Sequence, residues 1–192
     1  MVQADELNMV IEAHRRAIRS AHRLMLILVP QDIDSTSAMV AELEAQGLRY
    51  VRWSAGGYPE ETTQVLLADT YGEMGLWYRL APVTLMASSL TTGHGGRDPY
   101  EPAALGSAIV YGPNVSRHLS SYSRFARAGA ARLVRDAPSL AAAILRLNAP
   151  DQAAAMAQAA WDVATEGAEV TDKVLEKIEE ILDRRSLSDA GA

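Results

Sequence analysis

Val83-Thr84-Leu85-Met86-Ala87 leads through Ser88-Ser89-Leu90-Thr91-Thr92 into Gly93-His94-Gly95-Gly96-Arg97-Asp98-Pro99-Tyr100-Glu101-Pro102-Ala103-Ala104. The first run reads as a strand and the last residues as a short helix, joined by a glycine-bearing loop. Glycine lets a backbone come close to a ligand. Asp98 is a capping residue type, and Pro99 suits a first helical turn. Free amides at a helix start favour a phosphate. Glu101 is placed to accept hydrogen bonds from sugar hydroxyls. The stretch therefore reads as a nucleotide-sugar site, with a capped helix behind a flexible loop as the plainer alternative.

The same alternation extends in both directions. Leu7, Val10, Ile11, His14 and Ile18 fall at helical spacing, which predicts an amphipathic helix over 5–21 with His14 on its apolar face. Arg15, Arg16, Arg19 and Arg23 then read as a solvated basic face. Leu24–Val29 is a continuous apolar run ended by Pro30, the pattern of a buried parallel strand. A helix from Ser35 or Thr36 to Gly47 follows, then strands at 50–53 and 64–68. Asp69-Thr70-Tyr71-Gly72-Glu73 opens another helix ending near Pro82. Strands at 83–88, 108–111 and 131–135 and helices at 116–128, 138–147, 151–165 and 169–185 complete the reading, with a frayed tail at 186–192. The expectation is a three-layer α/β/α domain with a mainly parallel sheet of about six strands. Ligands in such sheets bind at the carboxyl ends of strands. The loops at 69–75 and 91–98 both lie there, and the reading has them face one cleft.

Composition narrows the function classes. The chain has 192 residues and a net charge of −6, against non-specific nucleic-acid binding. It has no cysteine, which excludes disulfides and thiolate chemistry. No apolar run is long enough to span a bilayer. His14, His22, His94 and His118 show no metal-ligand spacing, so neither a metal nor another cofactor is expected.

Thr70/Glu73 and Asp98/Glu101 have capping-box spacing, which gives both acids a purely structural alternative. Capping leaves Gly72, Gly75, Gly93, Gly95 and Gly96 unexplained; close approach of a ligand, or tight helix–sheet packing, accounts for them. Gly112-Pro113-Asn114 reads as a plain turn. No nucleophile–base pair is legible around Ser88, Ser89, Thr91, Thr92 and His94.

Three segments carry a resemblance. Leu67-Ala68-Asp69-Thr70-Tyr71-Gly72-Glu73-Met74-Gly75-Leu76 resembles the Gly-Asp-Thr-Met-Gly-Glu-Leu segment of 3-deoxy-D-manno-octulosonic acid (Kdo) transferases. Ser89-Leu90 through Gly95-Gly96-Arg97-Asp98-Pro99-Tyr100-Glu101-Pro102-Ala103-Ala104 resembles their Gly-Ser-Leu…Gly-Gly-His-Asn-Pro-Leu-Glu-Pro-Ala-Ala. Val110-Tyr111-Gly112-Pro113-Asn114 resembles their Phe-Gly-Pro-His. The resemblance implies the C-terminal, Rossmann-like half of a glycosyltransferase-B fold, which binds the donor CMP-Kdo. It implies that Gly72, Glu73 and Met74 present backbone groups to the nucleotide. Asp98 and Glu101 would bond ribose hydroxyls, and Gly95, Gly96 and Arg97 would face the phosphate or the sugar carboxylate. His94 is a further candidate phosphate or carboxylate contact. The family's catalytic base belongs to an N-terminal domain outside this chain, so no catalytic residue is assigned here. The strand that usually opens the C-terminal domain is also missing before Met1. An excised domain or fragment is the expectation.

The chain departs from the family pattern at Gln31-Asp32, where two basic residues usually stand, and at Arg97-Asp98, where His-Asn does. Arg97 would restore part of the lost charge. The resemblance implies transfer of Kdo to a lipid A precursor at the cytoplasmic face of the bacterial inner membrane, with membrane and acceptor met only through the full-length protein and the fragment itself soluble. The rivals are a degenerate, non-catalytic binding or interaction module and a nucleotide-sugar epimerase or hydrolase on the same scaffold. The donor domain is assigned to 1–168. Residues 169–192 are read as an amphipathic helix and tail packing on that domain or on the missing one.

Overall fold

The computed structural model describes residues 1–166 together with Lys177, Ile178 and Ile181. The helix expected at 169–185, the tail at 186–192 and the boundary at 168 otherwise lie outside the described residues. Among the described residues the α-helices and β-strands follow in this order: α1 (Leu7–Ile18), β1 (Leu26–Leu28), α2 (Thr36–Ala45), β2 (Tyr50–Arg52), β3 (Val65–Leu67), α3 (Met74–Leu80), β4 (Val83–Met86), α4 (Tyr100–Ala104), β5 (Ala108–Tyr111), α5 (Leu119–Arg127), β6 (Ala131–Leu133), α6 (Ala137–Leu147) and α7 (Pro150–Thr165).

Local chemistry sets several boundaries. Asp136 and Ser139 form a reciprocal capping box at the start of α6, with Ser139 N donating to Asp136 Oδ1 at 2.8 Å. Gly47, at φ 64°, ends α2 in the left-handed conformation that glycine adopts without strain. α1 is shorter than expected, and His14 is fully buried within its apolar face. Arg15, Arg16, Arg19 and Arg23 are exposed, as expected.

Every strand pair is parallel. The continuous six-strand sheet is not what forms, however. The strands divide into two three-stranded sheets, β2-β3-β1 and β4-β5-β6. Between β1 and β4 lies an apolar slot of about 380 Å³. Strand pairing cannot jump a gap wider than one ladder spacing. One parallel bridge, Val2 to Pro30, is the only further pairing among the described residues.

The two sheets nevertheless form one layer. A single apolar core runs under both, combining Leu28 and Leu67 of the first with Ala108 and Val110 of the second, covered by Ile11 of α1 and Leu140 of α6. Residues of opposite parity point to the other face. There, Leu66 and Ala68 meet Trp77 of α3, while Met86, Ile109 and Tyr111 meet Tyr122 and Phe125 of α5 and Ala160 of α7. β5 is buried along its whole length, which explains its unbroken apolar run. Full burial of a side chain such as Phe125 contributes about 1.5–3 kcal/mol.

Candidate functional site

The carboxyl ends of β1 and β4 meet at one edge. Gln31, just past β1, accepts a hydrogen bond from the Arg97 guanidinium in the loop after β4. The amino-terminal segment ties these ends together. Val2 N donates to the Val29 carbonyl at 2.7 Å, and Gln3 Nε2 donates to Ser88 Oγ at 2.9 Å.

The loop after β4 is built around a buried carboxylate. Glu6 has no exposed surface, and it accepts from the amides of Ser88 at 2.7 Å and of Ser89 and Leu90 at 2.8 Å each. Three successive amides can converge on one anion because Ser88 takes φ 62°, a left-handed conformation uncommon for serine. Ser89 Oγ then accepts from Gly112 N at 2.7 Å, and Asn114 Nδ2 donates to the Leu90 carbonyl at 3.1 Å. Gly112-Pro113-Asn114 is therefore a clamp rather than a plain turn. A Cβ on Gly112 would stand 2.2 Å from the Ser89 carbonyl oxygen. No periodicity or spacing pointed to Glu6; the paired donors Ser88 and Ser89 were the one available sign that an acceptor is needed there.

Gly95 and Gly96 are also explained by packing. Both take φ 81°, and a Cβ at Gly95 would meet the Arg117 side chain at 2.7 Å, at Gly96 the Val115 Cα at 3.0 Å. Gly72 and Gly93 differ: each has positive φ and open space where a Cβ would be. Gly75 has only an ordinary contact, 3.8 Å from Leu105.

Neither expected capping box forms. Asp98 accepts from the Tyr100 amide at 3.0 Å, but the cap residue of α4 is Pro99 and Glu101 makes no cap bond, leaving it exposed. With Pro99 at the cap, Glu101 falls one position short of the third helical residue that a capping box uses. Glu73 is itself the cap residue of α3 and bonds the Thr70 hydroxyl, not its amide. It also accepts from Trp53 Nε1 at 2.9 Å. Those two hydrogen bonds, Thr70 first, hold its carboxyl below the usual range. Met74, partly buried, packs against the Trp77 cluster.

α3 joins the two loops. Burial first, and then the charge of Glu101, push the Tyr78 phenol up to about 12, with Arg97 opposing. Tyr78, Arg97 and Glu101 thus form one neighbourhood of a neutral phenol, a guanidinium and a carboxylate. Glu73 is held instead by Trp53. Arg97 Nε is buried and has no hydrogen-bond partner. Such an atom, in a charged group, is an anion donor in waiting. His94 is engaged otherwise: its Nε2 lies 3.1 Å from Asp5 Oδ2, and that bond is the leading cause holding the Asp5 carboxyl below its ordinary value. A polar groove of about 420 Å³ lies on the solvent face of α1 and α2, lined by Arg15, Arg19 and Gln46, and shares none of these groups. No cluster of potential metal ligands occurs among the described residues.

A parallel α/β layer with loop-borne polar groups at its carboxyl edge defines the C-terminal half of a glycosyltransferase-B fold. The crystal structure of the C-terminal CMP-Kdo binding domain of WaaA from Acinetobacter baumannii is similar, with a TM-score of 0.78 and 27% identity over 84% of each chain. The Kdo transferase of Bordetella pertussis is 34% identical over 176 residues, 90% of this chain and 40% of the relative. That of Haemophilus influenzae is 25% identical over 186 residues, 93% of this chain and 42% of the relative. The chain thus spans about two-fifths of the length of these curated relatives. No family model matches. Sequence and fold together relate the chain to the Kdo transferases, and to their C-terminal domain in particular.

Proposed function

We propose that this chain is the donor-binding domain of a Kdo-transferase-like glycosyltransferase and holds CMP-Kdo or a related nucleotide sugar. The observation that carries the reading is Arg97: a guanidinium at the carboxyl edge, braced by the neutral Gln31, with a buried Nε lacking a partner. An anionic phosphate or sugar carboxylate is the ligand such a group takes. Gln31 removes a basic residue from this edge, and Arg97 supplies the charge from the facing loop. Glu101, exposed and free of capping, accepts from ribose hydroxyls. Asp98 does so with the oxygen left over from the Tyr100 amide. Gly72, Glu73 and Met74 offer backbone groups, and Gly95 and Gly96 bring the backbone of the Arg97 loop to the sheet edge. His94, paired with Asp5, steadies this loop and contacts the anion only by leaving that pair.

In the full-length protein, a base from another domain would deprotonate the acceptor hydroxyl, a lipid A precursor, at the cytoplasmic face of the inner membrane. The purified chain alone is then expected to lack transferase activity. Among the described residues, no helix is long and apolar enough to cross a membrane. Calorimetry with CMP, UMP, UDP and GDP tests the reading. Selective CMP binding supports it, UDP preference favours an epimerase or hydrolase, and binding of none favours a degenerate module.

A further inference from the structure

The loop after β5 is laid along the loop after β4. Asn114 N donates to the Ser89 carbonyl at 2.9 Å, and a Cβ at Gly96 would stand 3.0 Å from Val115 Cα. Arg117 ends the row: its amide donates to the Gly95 carbonyl at 3.0 Å. Its side chain then runs across Gly95, where a Cβ would stand 2.7 Å from Arg117 Cγ, 2.9 Å from Cδ and 3.1 Å from Nε. Only a residue without a Cβ leaves that lane open.

The lane carries the stem, and the charge lies beyond it. Arg16, Arg52 and Arg124 are each paired with a carboxylate. The Arg117 guanidinium makes no hydrogen bond or ion pair among the described residues, and the residue is exposed. An exposed, unpaired arginine is ordinary by itself. This one is set apart by its mount. Its backbone and stem are fitted to Gly95, two residues before Arg97, on the loop that Glu6 pins.

Arg97 and Arg117 therefore flank one short piece of backbone, but their settings differ. Arg97 is half-buried, donates to Gln31 and keeps a buried Nε without a partner. Arg117 stands on the solvent side. One sheltered cation and one at the mouth fit a ligand with two neighbouring anions. In a nucleotide-linked 2-keto sugar acid, the carboxylate and the phosphate ester oxygen stand on the same anomeric carbon. In a nucleotide-linked aldose, that carbon bears a hydrogen in place of the carboxylate. We propose that Arg117 is a specificity-determining residue that binds the carboxylate of the donor sugar, while Arg97 takes the phosphate. The inference rests on the nucleotide-sugar reading and adds to it a residue that selects sugar acids over aldoses. An arginine suits the task, because its planar fork meets a carboxylate with two parallel N–H···O bonds. A stem held in advance loses less rotamer freedom on binding.

The test is calorimetry on this chain with two probes. One is CMP methyl ester, a phosphodiester with a single phosphate charge and no transferable sugar; the other is freshly prepared CMP-Kdo. Arg117→Met keeps an unbranched stem over Gly95 and loses the charge. Arg117→Lys keeps the stem and the charge but not the fork. Arg117→Met is expected to weaken CMP-Kdo binding about tenfold and to leave the methyl ester within about twofold, with Tm unchanged. Arg117→Lys should recover part of the CMP-Kdo loss. Equal affinity of parent and Arg117→Met for CMP-Kdo would overturn the proposal and leave packing over Gly95 as the role of this residue. So would an equal loss for both probes, which would assign Arg117 to the phosphate or the nucleoside. A parent that binds neither probe would overturn the nucleotide-sugar reading itself, and this inference with it.

Discussion

The loop after β3 and the loop after β4 leave the same edge of the layer, yet they are held in opposite ways. The β4 loop is pinned from a distance, by Glu6 on one side and by Gly112 and Asn114 on the other. The β3 loop is held by its own neighbourhood: Asp69 takes bonds from Arg52 and Ser54 of the adjacent strand end, and Glu73 takes one from Trp53. Beyond those, Gly72 is open and Tyr71 is 75% exposed. Long-range pinning preorganises one wall of the site; local pinning leaves the other free to adapt. Preorganisation lowers the ordering cost of binding, and an adaptable wall lets one scaffold take related sugars.

The largest test of this contrast is Glu6→Ala. It strips three buried amides of their charged acceptor at once. Each unsatisfied donor costs about 1–3 kcal/mol, so a loss of about 5 kcal/mol is expected. At about 2–4 °C per kcal/mol, thermal unfolding should show Tm falling by about 10 °C or more. Gly112→Ala comes next, because its Cβ meets backbone rather than a flexible side chain. A cost of about 3 kcal/mol is expected from such overpacking, against about 1 kcal/mol for Gly72→Ala, whose only penalty is positive φ. Denaturant unfolding of the two variants measures the difference directly, and equal costs would erase the contrast between the loops.

Asp69→Asn probes the local anchor, with an expected loss of about 2 kcal/mol at neutral pH. Burial alone would push the Asp69 carboxyl up, but the hydrogen bonds from Ser54 and Arg52 outweigh it and leave it below its ordinary value. A depressed folded-state pKa gives stability that is complete above the unfolded value of about 4 and is lost as pH falls through the folded one. The gap between parent and Asp69→Asn should therefore close below about pH 4 in unfolding measured across pH. A gap that persists unchanged would mean that shape, not charge, anchors this loop. The smallest effect on stability is expected from Glu101→Gln, since Glu101 is exposed and caps nothing. If it holds the ribose, nucleotide affinity falls about tenfold, or ~1.4 kcal/mol, while Tm stays put. Calorimetry showing unchanged affinity would remove Glu101 from the site.

The layered fold was legible because its signals are local. Apolar runs such as Ala108–Tyr111 and helical spacings such as Leu7, Val10, Ile11 and His14 announce their elements without reference to the rest of the chain. The division of the sheet was not, because strand neighbours are chosen in space and the runs at β1 and β4 look the same whether paired or not. At the candidate site, residue identity and sheet edge were legible, but the reason for each residue was not. Gly95 and Gly96 looked alike in sequence to Gly72 and Gly93, and only the approach of Arg117 and Val115 separates them. Glu6 was silent for the same reason: the three loop amides it holds lie more than eighty residues away. Thr70 and Asp98 misled because capping-box spacing is met by many acids that find a nearer or better donor.

The hydrogen bond from Trp53 to Glu73 gives the molecule an optical reporter of its own. The Trp53 indole lies edge-on to Trp77, with ring centroids 5.1 Å apart, while its N–H points at the carboxylate that opens the β3 loop. Anything that draws Glu73 away changes the field across that indole, and its emission with it. Trp161, half exposed on α7, belongs to the opposite sheet and supplies a steady background. With Trp161→Phe, the remaining fluorescence is that of the adaptable wall alone, so ligand arrival there can be followed without a label.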